Sequence, residues 1–150
     1  MTSNPVLAVP PVDPHRAAAF FAERLALQTD AADVHAALSA GSAAFVLVDS
    51  RSDEAWAQGH IPGAVHLPTA SIPHRAAELL DPSVPVVTYC WGPGCNGATR
   101  AALALSQTGY RVKEMLGGVE YWIREGHPLR SGDTDVTMPV DPMVGPACGC

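Results

Sequence analysis

Basic residues are scarce in this chain. Nine Lys and Arg stand against 15 Asp and Glu across 150 residues, a formal net charge of −6. With no basic cluster, charge excludes nucleic acid and anionic membrane surfaces as partners. Long apolar runs are also missing, and none reaches membrane-spanning length. The opening MTSNPVLAVPPVD lacks the basic and long apolar regions of an export signal, so a cytoplasmic protein is expected. Cysteine is sparse as well. The four present, Cys90, Cys95, Cys148 and Cys150, form two close pairs rather than a distributed disulfide framework, in keeping with a reducing compartment. Charged residues make up only 16% of the chain, yet a hydrophobic content of 47% rules out disorder.

What is there alternates. Asp13-Pro14 sets an N-cap and a proline at the first helical position, predicting a helix to about Leu27 with Phe20, Phe21 and Leu25 on its apolar face. Asp30 and Asp33 suggest a capping box for a second helix, which Gly41 stops. Ala44–Val48 is a continuous apolar run, the pattern of a strand covered on both faces. Ser52 caps a short helix ending at Gly59, Ala64–Leu67 is a brief strand, and a helix follows from about Ser71 to Leu80. Further strands are read at Val86–Tyr89 and Val112–Leu116, and helices at Ala98–Ser106 and Val119–Glu125. Strands alternating with helices predict an α/β fold with a parallel sheet and helices on both faces. Residues 1–29 read as an N-terminal extension with one helix and 30–130 as the domain. Residues 131–150 read as a loose Pro/Gly-rich tail ending in Cys-Gly-Cys.

The chemistry concentrates at Cys90. A Gly-rich loop, CWGPGCNG, joins the Val86–Tyr89 strand to the next helix, the place where open α/β sheets put their ligands. Loop amides and a helix N-terminus favour thiolate over thiol, so an acidic Cys90 is expected. The amides from Trp91, Gly92, Gly94, Cys95, Asn96, Gly97 and Ala98 would cradle an anionic adduct on its sulfur. Burial of Cys90 as a small hydrophobe is the alternative.

Three segments, VLVDSRSDEAWAQGHIPGAVHLP at 46–68, VVTYC at 86–90 and GGVEYW at 117–122, closely resemble the rhodanese-like domain. The resemblance covers about residues 30–130. It implies a central parallel five-stranded sheet flanked by helices, and Cys90 as a persulfide-forming nucleophile of a sulfurtransferase. The implied partners are a small sulfur donor and an acceptor that is a small thiol, cyanide or a protein thiol; no metal or organic cofactor is required. The usual loop of that family is a Cys-x-x-Gly-x-Arg run. Here the loop is about two residues longer, the arginine's place falls on Gly97, and Arg100 lies beyond it inside the helix. The missing arginine weakens the case for thiosulfate, a dianion that a guanidinium grips bidentately. Cys95 and Arg100 have a Cys-x4-Arg spacing, which makes Cys95 a rival nucleophile. Phosphatases of the same fold carry an arginine six places after the cysteine, where this chain has Asn96.

Other residues stay open. Asp49 and Arg51 tie the strand end to neighbouring loops, or Arg51 faces the sulfur site. His60 fixes its loop by hydrogen bonds, and Trp91 walls the pocket or simply packs. The remaining histidines show no ligand spacing and read as surface residues. Cys95, Cys148 and Cys150 are candidate resolving thiols, and a reversible Cys90–Cys95 disulfide in a redox-sensing module is a second reading. Zinc shared among the four thiolates would take the nucleophile out of play, so no metal is expected.

Overall fold

The apolar runs that dominate the middle of the sequence become neighbouring strands, because residues flanked by helices on both sides must be apolar on both faces. A computed structural model of the chain describes residues 4–41 and 43–143. Its strands are β1 (Gln28–Thr29), β2 (Val46–Asp49), β3 (Val65–His66), β4 (Val86–Tyr89) and β5 (Val112–Met115). They form one five-stranded sheet in the order β1-β5-β4-β2-β3, parallel at every pairing. The helices are α1 (Pro14–Leu27), α2 (Ala31–Ser39), α3 (Asp53–Gln58), α4 (Ile72–Leu79), α5 (Gly97–Gln107) and α6 (Gly118–Arg124). The expected α/β architecture is the one observed.

Side chains alternate across the sheet and fill two cores. Leu47, Val87, Tyr89 and Met115 meet Ala31 and Val34 of α2 and Val119 and Trp122 of α6 on one face. Val48 and Val86 meet Ile72 and Ala76 of α4 and Ala101 and Leu105 of α5 on the other. Full burial of each such large side chain contributes about 1.5–3 kcal/mol. Trp122 is core, and its indole N–H donates to the Pro128 carbonyl at 2.8 Å. Local capping follows the sequence. Asp13, Asp30 and Ser52 each accept a hydrogen bond from the amide three residues on.

Three features differ from expectation. The fifth strand is the two-residue β1, inside the segment read as an extension; it pairs with β5 at the sheet edge. Helix α1 has the predicted bounds but buries nothing, and Phe20, Phe21 and Leu25 are all more than half exposed. Its apolar stripe is therefore not a core face. Finally, the residues after Arg130 are not uniformly loose. Strands β6 (Leu129–Ser131) and β7 (Thr134–Val136) pair as an antiparallel hairpin, and Arg130 bridges to His60 through reciprocal backbone bonds. Cys148 and Cys150 lie outside the described residues.

The sheet order places the carboxyl ends of β2 and β4 side by side. Asp49 is in register with Tyr89, and the Ser50 amide donates to the Tyr89 carbonyl at 3.2 Å. The Asp-Ser-Arg segment and the cysteine loop thus leave the sheet together.

Candidate active site around Cys90 and Cys95

Cys90 is the first residue beyond β4, and α5 begins at Gly97, so the loop between them is Cys90–Asn96. Pro93 and Gly94 form the corner of a turn closed by the Cys95 amide, which donates to the Gly92 carbonyl at 3.0 Å. That turn folds the loop back on itself and brings the two sulfurs to 3.0 Å from each other. Gly97 makes the approach possible, since a Cβ there would sit 2.5 Å from Cys90 Sγ and 3.2 Å from Cys95 Sγ. Its amide donates to Cys95 Sγ at 3.3 Å. The Thr88 hydroxyl, buried beneath the loop, donates to the Ala98 carbonyl at 3.0 Å and ties α5 to β4.

The far side of the loop is clamped by the start of α6. The Val119 and Glu120 amides donate to the Cys90 and Trp91 carbonyls at 3.0 and 2.8 Å. Gly118 is at φ 59°, and a Cβ there would lie 2.6 Å from Cys90 O, Gly92 N and Trp91 C. Only glycine lets the helix approach the loop backbone this closely. Sequence reading started this helix at Val119 and missed the role of Gly118; its signal was the paired glycines leading straight into the helix.

Acidity within the pair runs opposite to expectation. Burial, then the hydrogen bond to Cys95, push the Cys90 thiol up to about 11, while the Trp91 amide and the Ser50 hydroxyl oppose this by less. The Cys90 hydrogen bond pulls Cys95 below the ordinary thiol range against the cost of its own burial, and the Gly97 and Trp91 amides assist. Of the two thiols, the more exposed Cys95 is therefore the more readily ionised, and the buried Cys90 the one that holds its proton longer. Of the loop amides expected to cradle Cys90, that of Gly97 donates to Cys95 Sγ, and that of Trp91 lowers both thiols.

A cleft of about 270 Å³ opens over both sulfurs, lined also by Gly92, Asn96, Ala98, Thr99 and Glu114. Glu114 was not singled out in the sequence. Its carboxylate accepts from Thr99 Oγ1 at 2.6 Å and from Gln28 Nε2 at 3.1 Å, which fixes it in the wall. A second carboxylate, Glu120, stands against Gly92 and lines a shallow groove with Trp91 and Cys95. No Lys or Arg lines either depression among the described residues. Arg100 is at the protein surface, its Nε donating to Asn96 Oδ1 at 3.1 Å.

Asp49 and Arg51 support the site from below. Arg51, 4% exposed, donates from Nε and Nη2 to the fully buried Asp49 carboxylate and from Nη2 to the Gly59 carbonyl. Asp49 also accepts from the Tyr89 hydroxyl at 2.7 Å, and that hydroxyl accepts from the Ile61 amide. Burial, then the adjacent Asp49 charge, keep the Tyr89 phenol protonated far above its usual range. Arg51 faces Trp91 only through its guanidinium plane, 4.9 Å from the ring centre. The hydrogen bonds of its guanidinium all go to Asp49 and the Gly59 carbonyl. Trp91, half-exposed, shields that cation rather than closing over the sulfurs. His60 stacks on Trp56 at 3.4 Å with Nδ1 3.1 Å from the Trp56 carbonyl, holding its loop as expected. His66, read as a surface residue, also belongs to this support: its Nε2 lies 2.9 Å from the Arg51 carbonyl. Among the described residues no group of three or more His, Cys, Asp and Glu is placed to hold a metal.

Comparison with known proteins agrees with this architecture. The chain is 37% identical over 93 residues to the HTH-type transcriptional regulator Rv0324 of Mycobacterium tuberculosis, covering 58% of this chain and 41% of that protein. It therefore spans less than half of that regulator's length. It is 40% identical over 87 residues to a sulfurtransferase of Allochromatium vinosum, covering 56% of this chain and 77% of that one. The crystal structure of BH2092 protein from Bacillus halodurans superimposes with a TM-score of 0.77 at 36% identity, covering 86% of this chain and 93% of that chain. The family model described as the rhodanese-like domain matches residues 30–125, and the chain belongs to that family.

Proposed function

We propose that this chain is a sulfurtransferase that carries sulfane sulfur as a Cys90 persulfide. One observation carries the reading: lining a cleft beyond β4, Cys90 lies 3.0 Å from Cys95, a more acidic thiol able to take its proton once ionised. Transfer of that proton along the S–H···S contact leaves Cys90 as the attacking thiolate and Cys95 as the thiol. Cys90 Sγ then forms a bond to the donor's sulfane sulfur, and the donor's own sulfur bond breaks with its electron pair leaving on the departing group. The carried sulfur passes next to an acceptor nucleophile such as cyanide or a thiol. This is covalent, two-stage catalysis in which a second sulfur holds the proton that would otherwise mask the first. The test is thiocyanate formation from benzenethiosulfonate and cyanide. Steady turnover is expected, and absence of thiocyanate would overturn the reading. Phosphate-ester hydrolysis has no support, because among the described residues no arginine lines the depressions around the sulfurs.

The cleft wall selects the donor class. Glu114 places negative charge in the cleft that a dianion would enter, so neutral donors, monoanions and persulfides on protein partners fit better than thiosulfate. Unit charges 4 Å apart repel by about 1 kcal/mol even in water, and a dianion feels about twice that. Glu114→Gln is therefore expected to raise kcat/KM for thiosulfate by about fivefold or more, and for a neutral trisulfide hardly at all. An equal change for both donors would show that Glu114 acts through shape, not charge.

A further inference from the structure

We propose that Cys95 resolves the Cys90 persulfide from within, forming a Cys90–Cys95 disulfide and expelling the carried sulfur as hydrosulfide. This rests on the sulfurtransferase reading and gives the protein a second outcome when no acceptor arrives.

Geometry carries the step. The sulfurs already lie 3.0 Å apart, against a bonded S–S distance of about 2.05 Å, so closure needs a shift of roughly 1 Å. The Gly92–Cys95 turn and the Gly97 amide hold Cys95 in that position before any sulfur is loaded. Gly97 itself presents no side chain between them. A nucleophile fixed in this way reacts with an effective concentration well above that of any dissolved thiol.

Atoms and electrons balance without an added oxidant. After sulfur uptake, Cys95 is the thiol that received the Cys90 proton, and Cys90 bears an anionic outer sulfur. The Cys95 proton moves to that outer sulfur. Cys95 Sγ attacks Cys90 Sγ, the new S–S bond forms, and the bond to the outer sulfur breaks with its electron pair on the leaving atom. The sulfane sulfur is reduced to hydrosulfide while the two cysteines are oxidised to the disulfide. A small thiol or dithiol reductant then reopens the pair by exchange. An external acceptor competes with Cys95 for the persulfide, so its concentration decides between transfer and sulfide release.

The experiment uses the full chain with Cys148 and Cys150 replaced by serine, and benzenethiosulfonate as donor, whose sulfinate product is no thiol. Without acceptor or reductant, this chain should release one equivalent of sulfide. It should end two hydrogens lighter, with peptide mapping placing the disulfide between Cys90 and Cys95. Adding Cys95→Ala should instead leave a chain one sulfur heavier, with sulfide release down at least about tenfold. Cys95→Ser, closer in size and polarity, should do the same. A parent chain that keeps its sulfur and releases no sulfide would overturn the proposal, as would sulfide release unaffected by either Cys95 variant. If none of the chains takes up sulfur, the underlying sulfurtransferase reading fails instead.

Discussion

Replacing Cys90 with alanine is expected to abolish thiocyanate formation, a loss of at least about 10³-fold, because the covalent carrier is gone and the remaining groups only bind. The same variant should show no sulfur adduct by intact mass after exposure to benzenethiosulfonate. Cys95→Ala should behave differently: the adduct on Cys90 survives, and the dependence of its formation on pH changes. Two of the three effects that raise Cys90, the hydrogen bond to Cys95 and the Cys95 charge, disappear with that side chain, while burial remains. In this variant uptake should follow a single ionisation lying below about 11. An adduct undiminished in Cys90→Ala would move the carrier to Cys95, whose greater acidity and exposure make it the competing site.

The second large effect is on stability and lies beneath the loop. Asp49 is 0% exposed and accepts from the Arg51 guanidinium, the Arg51 amide and the Tyr89 hydroxyl. Asp49→Ala strands a buried cation and should cost about 3–5 kcal/mol. That is a large share of the roughly 5–15 kcal/mol that holds a domain together. For a chain of this size the melting temperature should fall by roughly 10 °C. Pairing it with Arg51→Met should restore much of the loss, since the stranded charge is removed as well. Thermal unfolding of both variants checks this. A drop of under about 1 kcal/mol for Asp49→Ala would mean that the ion pair does not support the site as described.

The sequence made the sheet and the location of the site legible for simple reasons. Val86–Tyr89, but for Thr88, and Ala44–Val48 are apolar, as strands covered on both faces must be, and the loop after the first of them is too rich in glycine to be anything regular. Strand β1 escaped notice because Gln28-Thr29 is short and polar, and acquires its structure only by pairing with β5. Helix α1 shows the converse: its apolar stripe at Phe20, Phe21 and Leu25 signals a helix but carries no information on what covers it. Glu114 was hidden because it belongs to a strand, and only the sheet order sets that strand beside the cysteine loop. The order of acidity could not be read at all. It depends on the Pro93-Gly94 turn, which folds Cys95 over Cys90, and on an amide at Gly97 reaching one sulfur and not the other. Residue types at the right spacing identify a thiol site; which sulfur carries the charge is a matter of fractions of an ångström.

Titration of the two thiols, followed by thiolate absorbance in the chain with Cys148 and Cys150 replaced by serine, tests the shared-proton pair most directly. The account predicts two well-separated steps, the first below the range of free cysteine and assigned to Cys95, the second near about 11 and assigned to Cys90. Two thiols ionising together at the ordinary cysteine value would contradict it, because sulfurs that do not share a proton leave Cys90 without the activation that Cys95 is held to provide.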